Sequence, residues 1–237
     1  MSARFEELDW RPTRLGEISL RRRWDPLFGK DVYEIKLGDE FLMSSQFTTA
    51  EVEAARLALA RLPGEPVDVV VGGLGLGYTA HAALADPRVR SLLVVESLRE
   101  VIEWHDRGLI PASVTARSDP RCRVIQGDFF RLVAAGAGLD PADPGRRFHA
   151  VIVDIDHSPR HLLHPDHAEF YRPAGLRRLS AALHPGGVFA LWSNDPPEAG
   201  FLAGLATVFA AAGAEQVTFP NPIQGGTSSN TVYLARK

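Results

Sequence analysis

The fold is decided by the stretch "VDVVVGGLGLGYT", Val67 to Thr79, in which a run of apolar residues meets a glycine-rich turn. A short, continuous apolar run is typical of a strand that is buried on both faces of a parallel sheet. Glycines after such a strand let the backbone approach a ligand closely and leave amide groups free at the start of the next helix. The stretch therefore predicts the first strand, turn and helix of a ligand-binding α/β domain.

Strand and helix patterns alternate along the rest of the chain. The further strand patterns are "SLLVVE", "CRVIQG", "HAVIVDI", "GGVFALWS", "EQVTFP" and "NTVYLAR", and helical patterns lie between most of them. This alternation predicts a Rossmann-like α/β fold, with a mostly parallel seven-stranded sheet that is covered by helices on both faces. The turn-rich loop "NPIQGGTSS" joins the last two strands without a helix, so the last strand is predicted to be antiparallel.

The residues before this domain follow a different pattern. Three short strand patterns, "EISLRRR", "DVYEIKL" and "EFLMS", are separated by turn residues and predict a small antiparallel β region in residues 1–47. A linking helix is expected in residues 48–66, and the Rossmann-like domain in residues 67–237. Thr48 with Glu51, and Ser97 with Glu100, have the spacing of capping boxes that begin helices. Gly108 is expected to end the second of these helices.

Composition limits the possible classes of protein. The 237 residues carry a formal net charge of −3 and a single cysteine, Cys122, so an intramolecular disulfide is impossible and a reducing cytoplasm is expected. Basic residues form no domain-wide patch, which argues against nucleic-acid binding. The chain has no apolar window that could span a membrane, and its acidic start does not have the pattern of a signal peptide.

Polar residues at the strand ends indicate a nucleoside site, because ligands bind at the carboxyl ends of the strands of an open parallel sheet. Glu96 ends the second strand and could accept both hydroxyls of a ribose. Asp128 follows the third strand, where an adenine amino group could be met, and Asp154 and Asp156 follow the fourth. Each acid could instead cap a helix, but their shared position on one rim favours a binding site.

These motifs resemble those of the spermidine synthase (polyamine aminopropyltransferase) family of class I AdoMet-dependent transferases. The resemblance is carried by the N-terminal β region, "Q-x-T" from Gln46, "VGGLGLG", "VVES", "QGDFF", "VIVDID", Phe170-Tyr171 and "LHPGGVFAL". It implies a homodimer and a nucleoside donor, either AdoMet or decarboxylated AdoMet, with no metal. The donor-binding residues that it implies are Gly72, Gly73, Gly75, Gly77, Glu96, Ser97, Gly127, Asp128 and Gln46.

Three departures from the family pattern bear on the reaction. The family carries an acid in the glycine turn, near the aminopropyl end of decarboxylated AdoMet, where this chain has Gly75; without that charge, AdoMet is expected to bind better than its decarboxylated form. Two family residues that help to hold the polyamine become Ala55 and Arg56, and a cation there would disfavour a polycation. The family's "D-S-S-D-P" becomes "D-I-D-H-S-P", so that Asp156 or His157 replaces the second acid.

The departures favour methyl transfer to a small amine or related nucleophile. Aminopropyl transfer from decarboxylated AdoMet is the first alternative, and a non-catalytic nucleoside-binding scaffold is the second. Asp154 is the candidate base that orients the amine, with His157 as the alternative and Asp156 as a further acid. Tyr171 and the pair Asn194 and Asp195 are candidate substrate contacts, although the last two could simply form a turn.

Four histidines in the stretch "VIVDIDHSPRHLLHPDH", Val151 to His167, also allow a metal site. His157, His161 and His164 have a spacing that suits one face of a helix. Because the expected chemistry needs no metal, non-metal roles are favoured. His161, His164 and His167 are expected to face solvent or to cap the following helix.

Overall fold

A four-stranded antiparallel sheet forms the N-terminal part of the protein in the computed structural model, which describes residues 5–111 and 118–237. Its strands pair in the order β1 (Phe5–Thr13), β2 (Gly16–Asp25), β3 (Lys30–Leu37) and β4 (Glu40–Ser44). The sequence patterns located the last three strands but missed the first, in which charged residues and Pro12 obscure the alternation.

The larger sheet has seven strands within the described residues. These are β5 (Val67–Gly72), β6 (Val89–Glu96), β7 (Cys122–Gln126), β8 (Phe148–Val153), β9 (Leu183–Ser193), β10 (Ala211–Asn221) and β11 (Gly226–Arg236). Their order is β10-β11-β9-β8-β5-β6-β7, and β11 is antiparallel to both of its neighbours, whereas the other neighbouring pairs are parallel. The predicted fold class is confirmed, including the antiparallel last strand.

The described helices are α1 (Thr49–Ala60), α2 (Tyr78–Leu84), α3 (Arg99–Asp106), α4 (Phe129–Ala135), α5 (Pro173–Ala181) and α6 (Ala199–Ala206). The first predicted capping box locates the start of α1, with Thr48 as the N-cap residue, but the Thr48 side chain makes no capping hydrogen bond. The second is wrong, because α3 begins after Leu98 rather than after Ser97. Gly108 does end the second of these helices, with a φ of +67° beyond Asp106.

Apolar side chains cover both faces of the larger sheet. Val69 and Val71 point to one face of β5 and Val70 to the other, and all three are fully buried. Ile18 and Leu20 of the N-terminal sheet belong to the same core cluster as Val69 and Val71. The small sheet is therefore packed against the larger domain.

Polar contacts fix β1 to the larger domain as well. The indole of the fully buried Trp104 on α3 donates a hydrogen bond to Asp9 Oδ2 at 2.8 Å, and Arg107 lies 2.9 Å from the same oxygen. The neighbouring Arg11 pairs with Glu103. These contacts hold the N-terminal sheet over the ends of the parallel strands.

The strand order places a crevice at the end of β5. The chain runs from β5 to β6 and β7 on one side and then returns to β8 and β9 on the other, so the order reverses between β5 and β8. Loops that leave two such strands diverge and open a ligand crevice at their carboxyl ends. In residues 5–111 and 118–237, no helix has the length and apolar character needed to cross a membrane.

Candidate active site

A cavity of about 490 Å³ occupies this crevice. Its volume lies within the usual range for small-molecule sites. The strand ends supply its floor, and the apolar side chains Leu37, Leu42 and Met43 of the N-terminal sheet also line it. Among the residues predicted to bind the donor, the lining includes Gly73, Gly75, Glu96, Ser97, Gly127 and Asp128.

The glycine turn is shaped by close contacts. Gly73 has a φ of +94°, and a Cβ atom there would lie 2.2 Å from the backbone oxygen of Asp154. Gly75 has a φ of +46°, and its Cβ would lie 2.8 Å from the sulfur of Met43. Gly72 and Gly77 shape the turn without lining the cavity, because Gly72 packs on Phe129 and Gly77 precedes α2. At Gly73 and Gly75, the cavity wall is therefore formed by backbone atoms without a side chain.

Glu96 is buried at the end of β6 with its carboxylate in the cavity wall. Its two oxygens accept hydrogen bonds from the amides of Leu74, at 2.9 Å, and Leu98, at 2.8 Å. Burial raises the pKa of Glu96, and these amide hydrogen bonds oppose the rise. The residue thus fixes the glycine turn, and its carboxylate forms part of the cavity wall.

Asp128 both caps a helix and lines the cavity, which are the two roles that its position in the sequence allowed. Its Oδ1 accepts the backbone amide of Arg131 at 3.1 Å and so caps α4, while the residue also lines the cavity. Its Oδ2 lies 3.4 Å from Arg131 Nε and 3.9 Å from Arg14, so this end of the cavity contains positive charge.

Asp154 lies directly after β8 and lines the cavity beside the glycine turn. Thr79 on α2 donates a hydrogen bond to its Oδ2 at 2.6 Å. Burial raises the pKa of Asp154, and the Thr79 hydrogen bond stabilises the charged form and opposes this rise. The strand end and Thr79 together fix the position of this carboxylate.

A second carboxylate, that of Glu51, faces the same cavity and was missed as a site residue. Glu51 is only 7 % exposed. Burial and the repulsion of Asp154 raise its pKa to about 8. The available sequence signal was its position on the buried face of α1, three and four residues before Ala54 and Ala55.

His157 also lines the cavity, where its Nε2 lies 3.1 Å from Glu40 Oε1 of the N-terminal sheet. Asp156, in contrast, does not line the cavity. It accepts hydrogen bonds from the amide of Leu163, His167 Nδ1 and the Tyr171 hydroxyl, each at 2.8 Å. This buried network gives Asp156 a structural position rather than a place beside the reacting groups.

Four of the predicted contacts do not reach the cavity. Tyr171 is buried against Asp156, and both burial and that carboxylate raise the pKa of its hydroxyl well above the usual value. Gln46 donates a hydrogen bond to Asp25 at 2.8 Å, beyond the cavity wall. Asn194 is exposed, and Asp195 forms the turn after β9 through its backbone.

The linking helix α1 does not place the positive charge of Arg56 in the cavity, contrary to what the sequence suggested. Arg56 is exposed and pairs with Glu53 at 3.1 Å, whereas Ala55 is fully buried. Neither residue lines the cavity. The expected repulsion between Arg56 and a polycation is therefore wrong, because helix α1 directs Glu51 inward and Arg56 to solvent.

The histidines after β8 serve separate purposes. His164 caps the short 3₁₀ helix Pro165–Glu169 by accepting the amide of Asp166, as expected for a capping residue. The expectation for His167 is wrong, because its ring stacks on Phe130 at 3.9 Å in the cavity wall. Across the two described ranges, no group of three or more histidine, cysteine or acidic side chains is arranged to hold a metal ion.

Trp192, near the end of β9, also lines the cavity, although the sequence patterns predict it only as a strand residue. Its indole nitrogen is buried and has no hydrogen-bond acceptor among the described residues. A buried donor without an acceptor is costly, so this nitrogen is available to a ligand.

Comparison with known proteins finds relatives that are named polyamine aminopropyltransferases, although no family model matches the chain. Polyamine aminopropyltransferase 2 of Pseudomonas aeruginosa is 27% identical over 215 residues, which cover 85% of this chain and 57% of that protein. Polyamine aminopropyltransferase of Corynebacterium efficiens is 37% identical over 87 residues, which cover 37% of this chain and 15% of that protein. The chain thus spans little more than half the length of the Pseudomonas relative.

Two solved structures share the fold at 18% sequence identity. A spermidine synthase in complex with the transition state analogue AdoDATO has a TM-score of 0.75, with 98% of this chain and 73% of that chain covered. The spermidine synthase from Thermotoga maritima has a TM-score of 0.74, with 98% and 72% covered. The resemblance to the spermidine synthase-like family that the motifs indicated is confirmed.

Proposed function

We propose that this protein transfers an aminopropyl group from decarboxylated AdoMet to an amine of the diamine or polyamine class. The observation that carries the proposal is the pair of carboxyl groups on one cavity wall, that of the buried Glu51 and that of the partly buried Asp154. Neither forms a salt bridge to a described lysine or arginine. Two acids without a cationic partner in a site of low dielectric attract a cationic ligand strongly.

The charge of the donor decides between the two transfer reactions. Decarboxylated AdoMet carries a sulfonium and an ammonium group, whereas AdoMet also carries a carboxylate, which the acidic pair would repel. Methyl transfer was favoured because Gly75 leaves the glycine turn without an acid, but Glu51 supplies a carboxyl group from α1 instead. The names of the relatives also support aminopropyl transfer.

The rest of the cavity fits the nucleoside part of such a donor. The bare backbone of Gly73 and Gly75 permits close approach, and Glu96 offers a buried carboxylate for ribose hydroxyls. The buried indole nitrogen of Trp192 offers a hydrogen-bond donor. These groups would hold the donor, whose sulfonium activates the adjoining carbon.

The protein must also supply the acceptor as a neutral amine, because a protonated nitrogen has no free electron pair. Asp154, fixed by Thr79, can receive the proton of the acceptor's ammonium group and hold the nitrogen in line with the reacting carbon. The nitrogen then forms a bond to that carbon, the carbon–sulfur bond breaks, and its electron pair stays on the neutral sulfur of methylthioadenosine. The product nitrogen is a secondary ammonium group, which carries the positive charge that the sulfonium has lost.

Product analysis by mass spectrometry tests this function. The protein is incubated with a diamine such as putrescine and with equal amounts of AdoMet and decarboxylated AdoMet. We expect an aminopropylated amine and methylthioadenosine, with at least about 100-fold less product in a matched sample of Asp154→Asn over the same time. A methylated amine and adenosylhomocysteine would contradict the proposal.

A further inference from the structure

Glu51 occupies an unusual position for a carboxyl group. It lies in the first turn of α1, is 7 % exposed and lines the cavity beside Asp154. Apart from its own backbone amide, no described residue donates a hydrogen bond to its carboxyl group, and no described cation forms a salt bridge with it. Burying such a group costs free energy unless a partner compensates. A ligand that carries a positive charge would provide this partner.

The glycine turn offers no competing acid. At Gly75 the space for a side chain is taken by Met43, whose sulfur would lie 2.8 Å from a Cβ atom and accepts the amide of Leu76 at 3.0 Å. Asp154, the other acid on this wall, already accepts the Thr79 hydroxyl. Glu51 accepts only its own backbone amide, so its carboxyl group keeps acceptor capacity for an ammonium group, which has three protons to donate.

We propose that Glu51, rather than a residue of the glycine turn, binds the ammonium group of the donor's aminopropyl chain and releases a proton when the donor arrives. This inference rests on the proposed function and assigns separate tasks to the two acids. Glu51 selects the donor, whereas Asp154 positions the acceptor and receives its proton.

The groups around Glu51 explain the release of a proton. Asp154 at the end of β8 and Tyr78 at the start of α2 are the titratable groups that interact with it, and neither is a cation. The other charged groups of α1, Glu53 and Arg56, and Arg61 directly after it, are not among the residues that line the cavity.

The Thr79 hydrogen bond stabilises the charged form of Asp154, and the repulsion of Asp154 raises the pKa of Glu51, so we assign the proton of this pair to Glu51. With a pKa of about 8, Glu51 is mostly protonated in the empty cavity at neutral pH. An ammonium group favours the ionised form, so that binding of the donor expels the proton. Donor affinity should consequently rise with pH until the empty site loses this proton by itself.

Calorimetry on the full chain and on Glu51→Gln tests the inference with two ligands between about pH 6 and pH 9. Decarboxylated AdoMet carries the ammonium group, whereas methylthioadenosine keeps the nucleoside and lacks the aminopropyl chain. For the native protein, we expect donor affinity to rise severalfold to about tenfold per pH unit below pH 8. Buffers with different heats of ionisation should also reveal about one proton released for each donor bound at pH 7.

In Glu51→Gln, the pH slope and the proton release should disappear, and donor affinity at high pH should fall by about 10-fold to 100-fold, as for a lost hydrogen bond to a charged group. Methylthioadenosine should bind equally well to both proteins. The matched control is Glu53→Gln. Glu53 lies on the same helix, pairs with Arg56 and does not line the cavity, so this variant should behave like the native protein.

Two results would overturn the assignment of Glu51 while leaving the proposed function intact. The first is an unchanged donor affinity and pH slope in Glu51→Gln, and the second is an equal loss of affinity for methylthioadenosine. Failure of the native protein to bind decarboxylated AdoMet while it binds AdoMet would instead overturn the proposed function and the inference with it.

Discussion

Replacing Glu51 by glutamine should abolish most of the loss of stability that the native protein undergoes as the pH rises above neutrality. The pKa of this carboxyl group is about 8 in the folded protein, compared with an ordinary value of 4.5. Between these values, the folded protein keeps a proton that the unfolded chain has lost, which favours folding. The contribution is complete below the unfolded pKa and disappears as the pH rises through the folded one.

The size of the effect follows from the two pKa values. Between pH 6 and pH 9, Glu51 alone should account for a loss of about 2–3 kcal/mol in the free energy of unfolding. For a chain of this length, that corresponds to a fall of about 5–10 °C in the midpoint of thermal unfolding. Glutamine does not titrate, so the variant should show a much flatter dependence and should exceed the native protein in stability at pH 9.

Thermal unfolding followed by circular dichroism at a series of pH values measures this difference. Glu53→Gln serves as the control, because Glu53 pairs with Arg56 outside the cavity and its removal should leave the slope unchanged. Equal slopes for the native protein and Glu51→Gln would refute the reasoning. They would mean that Glu51 is ionised and well solvated at neutral pH.

Three further predictions concern other parts of the molecule. Asp154→Asn should lower turnover by about 10²–10⁴; full activity in steady-state kinetics would exclude Asp154 as the base. Glu96→Gln should weaken the binding of methylthioadenosine by about 1.5–3 kcal/mol, and a calorimetric loss below a few tenths would remove Glu96 from the ribose site. Self-association stays a prediction. Trp10 and Phe41 of the N-terminal sheet are 48% and 54% exposed, and a second copy of the chain could cover them. Light scattering should detect a homodimer, whereas a monomer-sized particle at micromolar concentration would contradict this prediction.

The sequence was sufficient for the sheet and for the residues that end its strands. Buried parallel strands have a strong local pattern, and their carboxyl ends must meet on one edge. Glu96, Asp128 and Asp154 could therefore be placed near one another without a structure. The structure places all three in the wall of one cavity.

Side chains outside those positions depend on contacts that the sequence does not reveal. Glu51 lies three residues after Thr48, which is the spacing of a capping box, and the same spacing also allows an acid that points into the protein. The packing of α1 against the larger sheet determines which of the two occurs. Asp156 lies only two residues beyond Asp154, yet the loop turns it towards His167 and Tyr171 instead of the cavity.

The most direct test of the account is a calorimetric comparison of AdoMet and decarboxylated AdoMet on the native protein at about pH 8. The two acids Glu51 and Asp154 in the cavity wall should favour the donor that has lost its carboxylate. We expect decarboxylated AdoMet to bind at least about tenfold more tightly, which corresponds to about 1.4 kcal/mol. Equal affinities, or tighter binding of AdoMet, would contradict the account.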